Sequence, residues 1–450
     1  MIIRYYVENY LSFNERIEFS MIPGRARKHP NHIVRDEAWD GINLLRSAVL
    51  YGANAAGKSN LVKSLAFMRH LVLNGTKPGS RIGLQCFKFA SGCEEKPTRF
   101  EIEIKIDRRY YAYGFEITPS IVLSEWLYEI RKDRQKMLFE RSTVDSETIV
   151  EFDKTIASDK KDLQFLEFIG KGTRPNQLFL TETRDHNVKQ FRDVLHWFDN
   201  SLRIIFPDSI YRGLEFDLVT DEQVQKTVVS FLDHFNTGIA DIGFKPVVFN
   251  DLPRYIRDDI EKNPEPGKTI VFRSPEGRFV VNKTSDNGVE ASRMVAKHNI
   301  DSSDTLTDLE IEYESDGTQR LLDLIPALLS LAKVDQVFVI DELDRSLHPV
   351  LSYEILEYFL ERVSDTNSQL IVTTHESNLL DLDLLRRDEI WFVEKDSTGA
   401  SKLYSLEEFT PRYDKDIRKG YLQGRFGSIP ILGELAGLTT GEGEKDAGKA

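Results

Sequence analysis

The sequence predicts an α/β fold with something large inserted into it, and three observations carry that prediction. A glycine-rich loop, residues 52–59, lies between a short apolar run of strand length and a segment with apolar residues at helical spacing. A second apolar strand ends in two acids, the first of them 283 residues after the lysine of that loop. Between them run strictly alternating segments, then a stretch of helical periodicity.

The loop reads Gly52-Ala53-Asn54-Ala55-Ala56-Gly57-Lys58-Ser59, which is G-x-x-x-x-G-K-S. Strand before and helix after are the context that a phosphate-binding loop needs. Its glycines let the backbone wrap an anion with several N–H groups inward, and the helix N-terminus adds partial positive charge. Lys58 would then reach the β- and γ-phosphates of a nucleotide, and the Ser59 hydroxyl would ligate Mg²⁺. Gly52, Asn54, Ala55, Ala56, Gly57 and Asn60 complete the cradle.

Composition bounds the rest. With 450 residues, 40% of them hydrophobic, the chain can bury a sizeable core as one large domain with an insertion, or as two domains. A net charge of −14 repels nucleic acid on average, so a nucleic-acid site would need a local basic patch or a partner. Cys86 and Cys93 have no further Cys or nearby His to complete a zinc site. No stretch has the length of a membrane span and the N-terminus lacks the build of a signal peptide, so the expected location is cytoplasmic.

In chain order, residues 2–7 and 16–20 read as two strands around a turn. Residues 22–43 read as a loop whose basic cluster, Arg25, Arg27 and Lys28, is solvated by default and a phosphate contact in the second place. Residues 99–106 alternate strictly, and 109–117 should pair with them. Residues 121–140 continue as strand around a charged turn at 131–136. Residues 155–238 read as mainly helical, with His196 and His234 as satisfied histidines rather than ligands. Residues 262–310 are polar and turn-rich with one hairpin, 269–272 against 278–281. The last 12 residues, 439–450, read as disordered.

The second apolar strand, residues 336–340, ends in Asp341 and Glu342, a Walker B pattern. At the end of a strand beside the loop's own strand, Asp341 can hold Mg²⁺ through its waters. The adjacent Glu342 can orient and deprotonate an attacking water. Just upstream, Ser315-Asp316-Gly317 opens an apolar helix that leads into this strand. A small loop with a hydroxyl and a glycine at a helix start is a further anion site, through Ser315 and Gly317. Residues 369–374 form a strand that ends in His375, whose ring can contact a γ-phosphate.

Taken in order, these four elements resemble the ATP-binding-cassette (ABC) ATPases. The run Asp341-Glu342-Leu343-Asp344-Arg345-Ser346-Leu347-His348-Pro349 looks like the D-E-x-x-x-x-L-H-P segment of their RecF/SMC/OLD-like branch. Asn9-Tyr10-Leu11-Ser12-Phe13 is similar to the N-F-R-S-F element that opens those proteins. Glu314-Ser315-Asp316-Gly317-Thr318 matches the E-S-x-G-T signature of the RloA-like, AbiL-type AAA ATPases of bacterial phage-defence loci. Residues 421–430 match their ending Y-L-x-G-R-F/Y-G-A-x-P. The likeness runs from residue 1 to about 432.

This resemblance implies an ABC-type P-loop ATPase head with a mixed sheet, an antiparallel β subdomain and a helical insertion. Residues 1–150 would carry the P-loop and the β subdomain, 151–245 the helical lid, 246–432 the signature, Walker B and switch histidine, and 433–450 a disordered tail. It implies ATP and Mg²⁺ as cofactors, Glu342 and His375 as catalytic residues, and Ser59 and Asp341 as metal-holding residues. Two copies would sandwich two ATP molecules, with Ser315 and Gly317 of one touching the γ-phosphate held at Lys58 of the other. Asp344 and Ser346 would communicate across that homodimer. Gln85 is the candidate for the Q-loop. The usual signature is L-S-G-G-Q, and residues 313–319 depart from it, which leaves the trans contacts of Asp316 and Thr318 open. Two functions fit. One is a switch whose closure controls an effector, a nuclease or toxin encoded nearby, in anti-phage defence. The other is a RecF/SMC-like ATPase whose head itself holds DNA during repair or maintenance. Salt-dependent DNA binding separates them.

Overall fold

The computed structural model describes residues 1–429, except 37–40, 133, 146, 154, 210–213, 263–268, 285–287, 301–304, 332, 363–365 and 410–415. The tail expected at 433–450 lies outside the described residues. Strands β1 (Ile2–Glu8) and β2 (Ile17–Ser20) pair antiparallel, with Tyr5 opposite Phe19. The short strands β3 (Ile33–Val34) and β4 (Leu44–Leu45) interrupt the loop that follows. Then come the P-loop strand β5 (Ser47–Tyr51), buried at all five positions, and helix α1 (Lys58–Asn74).

A meander of β6 (Thr98–Ile106), β7 (Arg109–Ile117), β8 (Val122–Arg131), β9 (Arg134–Val144) and β10 (Glu147–Phe152) joins β1 and β2 in a seven-stranded sheet. Alternation in β6 turns Phe100, Ile102 and Ile104 into the core and Glu101 and Glu103 away from it. Those core residues share one cluster with Leu61, Leu65 and Met68 of α1, so the antiparallel sheet packs on the P-loop helix.

Helices α2 (Lys160–Gly172), α3 (Phe179–Asp185) and α4 (Arg192–His196) open the stretch expected to be helical, which then returns to strand at β11 (Leu202–Ile205). Four residues are too few for periodicity to separate strand from helix. Parallel pairing with residues 337–340 decides the matter. Helices α5 (Leu214–Thr220) and α6 (Glu222–His234) end the stretch. His196 lies 3.0 Å from the Asn200 amide and His234 3.6 Å from Glu354, and among the described residues neither belongs to a metal-like cluster.

A second antiparallel sheet follows, where the sequence signals only a hairpin. It contains β12 (Ile239–Val247), β13 (Thr269–Ser274), β14 (Gly277–Lys283), β15 (Val289–Asn299) and β16 (Leu306–Glu310), with α7 (Arg254–Lys262) between β12 and β13. The β13–β14 hairpin is present, Ile270 opposite Val281. Strands β12 and β15 mix Lys245, Pro246, Arg293 and His298 among apolar residues and so carry no clean period. Their long mutual pairing builds them.

Helix α8 (Asp316–Leu331) leads into the Walker B strand β17 (Val337–Ile340). Then come α9 (Pro349–Arg362), β18 (Gln369–Thr373), β19 (Ile390–Lys395), β20 (Ser401–Ser405) and α10 (Ile417–Leu422). The central sheet has the order β11-β17-β18-β5-β19-β20, parallel except for the antiparallel β20. The fold is therefore the expected α/β P-loop head: a mixed sheet, antiparallel β layers and a helical insertion. Every residue of β5, β17 and β18 is buried, as in a parallel sheet covered on both faces. One expectation needs correction. The Walker B strand is not beside the P-loop strand, because β18 lies between them.

The basic loop cluster is partly structural. Lys28 Nζ sits 2.6 Å from Asp383, and the carbonyls of Ala26 and Lys28 accept from buried Arg386. Cys86 and Cys93 are free thiols. No helix among the described residues is long and apolar enough to cross a membrane.

Candidate nucleotide-binding site

The carboxyl ends of the parallel strands share one edge of the central sheet, which is where open α/β sheets bind ligands. Gly52 follows the last residue of β5, and a side chain there would run into the Val393 carbonyl of neighbouring β19. Gly57 has φ 118°, and a side chain there would overlap the hydroxyls of Ser401 and Ser12. Lys58 is the first residue of α1. Its ammonium donates to the carbonyls of Gly52 at 2.7 Å and Ala53 at 3.3 Å, and lies 3.4 Å from His375 Nδ1. Burial pushes its pKa down to about 8, against the opposing pull of Asp344, Asp341 and Glu342.

Ser59 Oγ donates to Asp341 Oδ1 at 3.0 Å, although the two residues are 282 positions apart. The intervening strand β18 joins this pair through Thr373, a buried residue that no motif marked. Its hydroxyl donates to Asp341 Oδ1 at 2.6 Å and accepts from the Glu342 amide at 2.8 Å. Glu342 itself sits at φ 50°, a left-handed backbone uncommon for such a residue, so the sheet end is bent to place it. The His375 amide donates to the Asp344 carboxylate at 3.2 Å. Partial burial, then the charge of Lys58, hold the His375 ring below its usual pKa.

Asn54, Ala55, Ala56, Gly57, Lys58, Ser59, Asn60, Glu342, Asp344 and His375 line one cavity of about 670 Å³. Three unexpected cations line it too: Lys63 on α1, Arg345 after β17, and Lys395 at the end of β19. Among the described residues Lys63 and Lys395 have no ion-pair partner, while Arg345 meets Asp208 at 2.8 Å. Four cations around one cavity, in a chain of net charge −14, suit a polyanion. A hydroxyl and a carboxylate converging at 3.0 Å form an all-oxygen donor pair, which fits Mg²⁺ holding its remaining waters.

Other expected residues lie elsewhere. Ser315 Oγ accepts from the Thr318 amide at 3.1 Å and caps α8, and a side chain on Gly317 would meet the Ser346 carbonyl at 2.8 Å. The signature thus packs on the segment after its own chain's Walker B strand, outside the cavity, with Ser315 and Ser346 exposed. Gln85 is exposed and does not line the cavity; its carbonyl accepts from the Leu11 amide. Asn60 lines the cavity, but its amide donates to Ser12 Oγ at 2.7 Å.

Residues 47–381 match the protein family described as "AAA domain, putative AbiEii toxin, Type IV TA system". No curated protein matches the chain. Among solved structures, the chain is similar to the SMC head domain from Thermotoga maritima, at 11% identity over 90% of this chain and 98% of that one, with a TM-score of 0.38. It is similar to an Smc head bound to the C-winged helix domain of ScpA, at 13% identity over 91% and 99%, TM-score 0.39. A third is the Smc head with extended coiled coil bound to the C-terminal domain of ScpA from Pyrococcus furiosus, at 14% identity over 91% and 97%, TM-score 0.36. At such identity and overlap, these likenesses bear on neither activity nor partners.

Proposed function

The chain belongs to this AAA domain family, and on that premise we propose that it is a Mg²⁺-dependent ATPase that works as a switch. The observation that carries this reading is the linked set Ser59–Asp341–Thr373–Glu342, whose Ser59 and Glu342 line a four-cation cavity. In this reading Lys58 and the loop N–H groups hold the β- and γ-phosphates, and Lys63 and Lys395 add charge around them. Ser59 and Asp341 hold Mg²⁺, which neutralises phosphate charge when bound. Glu342 orients and deprotonates the attacking water, and His375 faces the γ-phosphate.

Ser315 and Gly317 lie outside the cavity of their own chain, at an exposed helix start. A second copy's cavity is the place where they could meet a γ-phosphate, so the working unit is an ATP-bound homodimer. Its closing and reopening controls an effector encoded nearby, in anti-phage defence. The family description speaks of a toxin in a toxin–antitoxin system, which supports such a pairing.

The test is nucleotide titration with mass measurement of the full chain, with and without ATP. Lys58→Ala should lose nucleotide binding. Glu342→Gln should bind ATP, fail to turn it over and remain dimeric. Hydrolysis by Glu342→Gln at the wild-type rate would remove Glu342 from the chemistry. Growth arrest on expressing the chain alone would make it the toxin itself, and the control of an effector would fall.

A further inference from the structure

Ser401 lies on β20, outside every motif, and only 3% of it is exposed. Its hydroxyl donates to the Ala56 carbonyl at 2.6 Å and lies 2.7 Å from Ser12 Oγ. Ser12, 4% exposed, accepts from the Asn60 side chain at 2.7 Å. A hydroxyl carries one proton and a carbonyl only accepts. The Ser401 hydroxyl therefore has two acceptors beside it, the Ala56 carbonyl and Ser12 Oγ, and Ser12 Oγ accepts from the Asn60 amide as well. The result is a hydrogen-bonded chain that links Asn60, Ser12, Ser401 and the Ala56 carbonyl. The Ser401 amide closes the link by donating to the Ser12 carbonyl at 2.7 Å.

Peptide geometry turns this chain into a statement about binding. The Ala56 C=O and the Gly57 N–H belong to one planar trans unit and point in opposite directions. Holding the carbonyl away from the cavity aims the Gly57 N–H into it, and inward N–H groups are what make such a loop an anion site. The same hydroxyls fill the space where a side chain on Gly57 would sit. We propose that Ser401 and Ser12 are positioning residues of the phosphate-binding loop, holding the Ala56–Gly57 peptide in its phosphate-binding orientation. They bring a turn near the N-terminus and a hairpin near residue 400 to bear on one peptide of the loop. The proposal rests on the ATPase reading above.

Steady-state ATP hydrolysis and ATP titration of the full chain test it, with Ser401→Ala, Ser12→Ala, Ser405→Ala and Lys58→Ala in parallel. Ser401→Ala should raise KM and Kd for ATP about tenfold, the effect of one lost buried hydrogen bond. Its kcat should stay near wild type, because Asp341 and Glu342 keep their partners. Ser12→Ala should raise both constants by less, since Ser401 keeps its bond to Ala56, and it decides the matter if Ser401→Ala does not fold. Ser405 is buried on the same strand, with its hydroxyl turned to the Glu407 amide, and its replacement should change neither constant. A merely structural loss shrinks the active fraction, so it lowers apparent kcat at unchanged KM, and that outcome overturns the proposal. If Lys58→Ala abolishes ATP binding while both serine variants bind normally, this inference fails and the ATPase reading survives. If Lys58→Ala also binds ATP normally, both fall.

Discussion

Thr373→Val replaces a buried hydroxyl with a methyl of nearly the same size, so the packing of β18 is little disturbed. What it removes is specific. The hydroxyl donates to the Asp341 carboxylate at 2.6 Å and accepts from the Glu342 amide at 2.8 Å. A hydrogen bond to a charged group contributes about 1.5–3 kcal/mol, and an orphaned buried donor costs about 1–3 kcal/mol. With partial relaxation, about 3 kcal/mol of orientation is lost at the two acids, and at about 1.4 kcal/mol per decade that is roughly 10²-fold in kcat. ATP binding measured without Mg²⁺ should be unchanged, because Lys58 and the loop do not touch Thr373. Phosphate release under saturating ATP measures kcat, and Thr373→Ser, which keeps the hydroxyl, should recover most of it. A Thr373→Val protein that folds and turns over within about twofold of wild type would show that the intervening strand does not hold the two acids in place.

Two further outcomes follow from the charges of the cavity. Because burial lowers Lys58 to about 8, its ammonium is intact below that pH and lost above it. ATP affinity should hold on the acidic side and fall by about tenfold per unit above it, whereas Lys58→Arg, which stays charged, should show no such fall. ATP titrations across this range read the effect, and a flat profile for the native chain would contradict the lowered pKa of Lys58. Lys395→Ala should raise KM for ATP several-fold and weaken its salt dependence at little cost in stability, since Lys395 is exposed and unpaired among the described residues. An unchanged salt dependence would take Lys395 out of the site.

Much of the site was legible because its chemistry is local. Eight consecutive residues specify the loop, and Asp341-Glu342 follow four buried apolar positions, so each half announces itself within one element. Thr373 and Ser401 were not legible. Each is an ordinary hydroxyl on a short strand, and each matters only through a partner far away in the chain. Lys63 and Lys395 escaped for the same reason, since a lone lysine in sequence says nothing about what it faces. The same limit hid β11 and most of the second antiparallel sheet: short or unpatterned segments became strands because a distant strand offered its backbone.

Alone, the sequence determined the α/β class and singled out the glycine-rich loop and the Asp341–Glu342 pair as candidates, because strand and helix periods and glycine chemistry act over a few residues. It also required that the two halves of the site come together across a long insertion. Tertiary structure decided how they meet. Backbone pairing put β18 between the two motif strands, so a threonine bridges Asp341 and Glu342. It brought Ser12 and Ser401 behind Gly57, and it kept Ser315 away from the cavity of its own chain. Strand order and long-range hydrogen bonds are settled by which backbones and buried faces fit together, and no local window of residues contains that information.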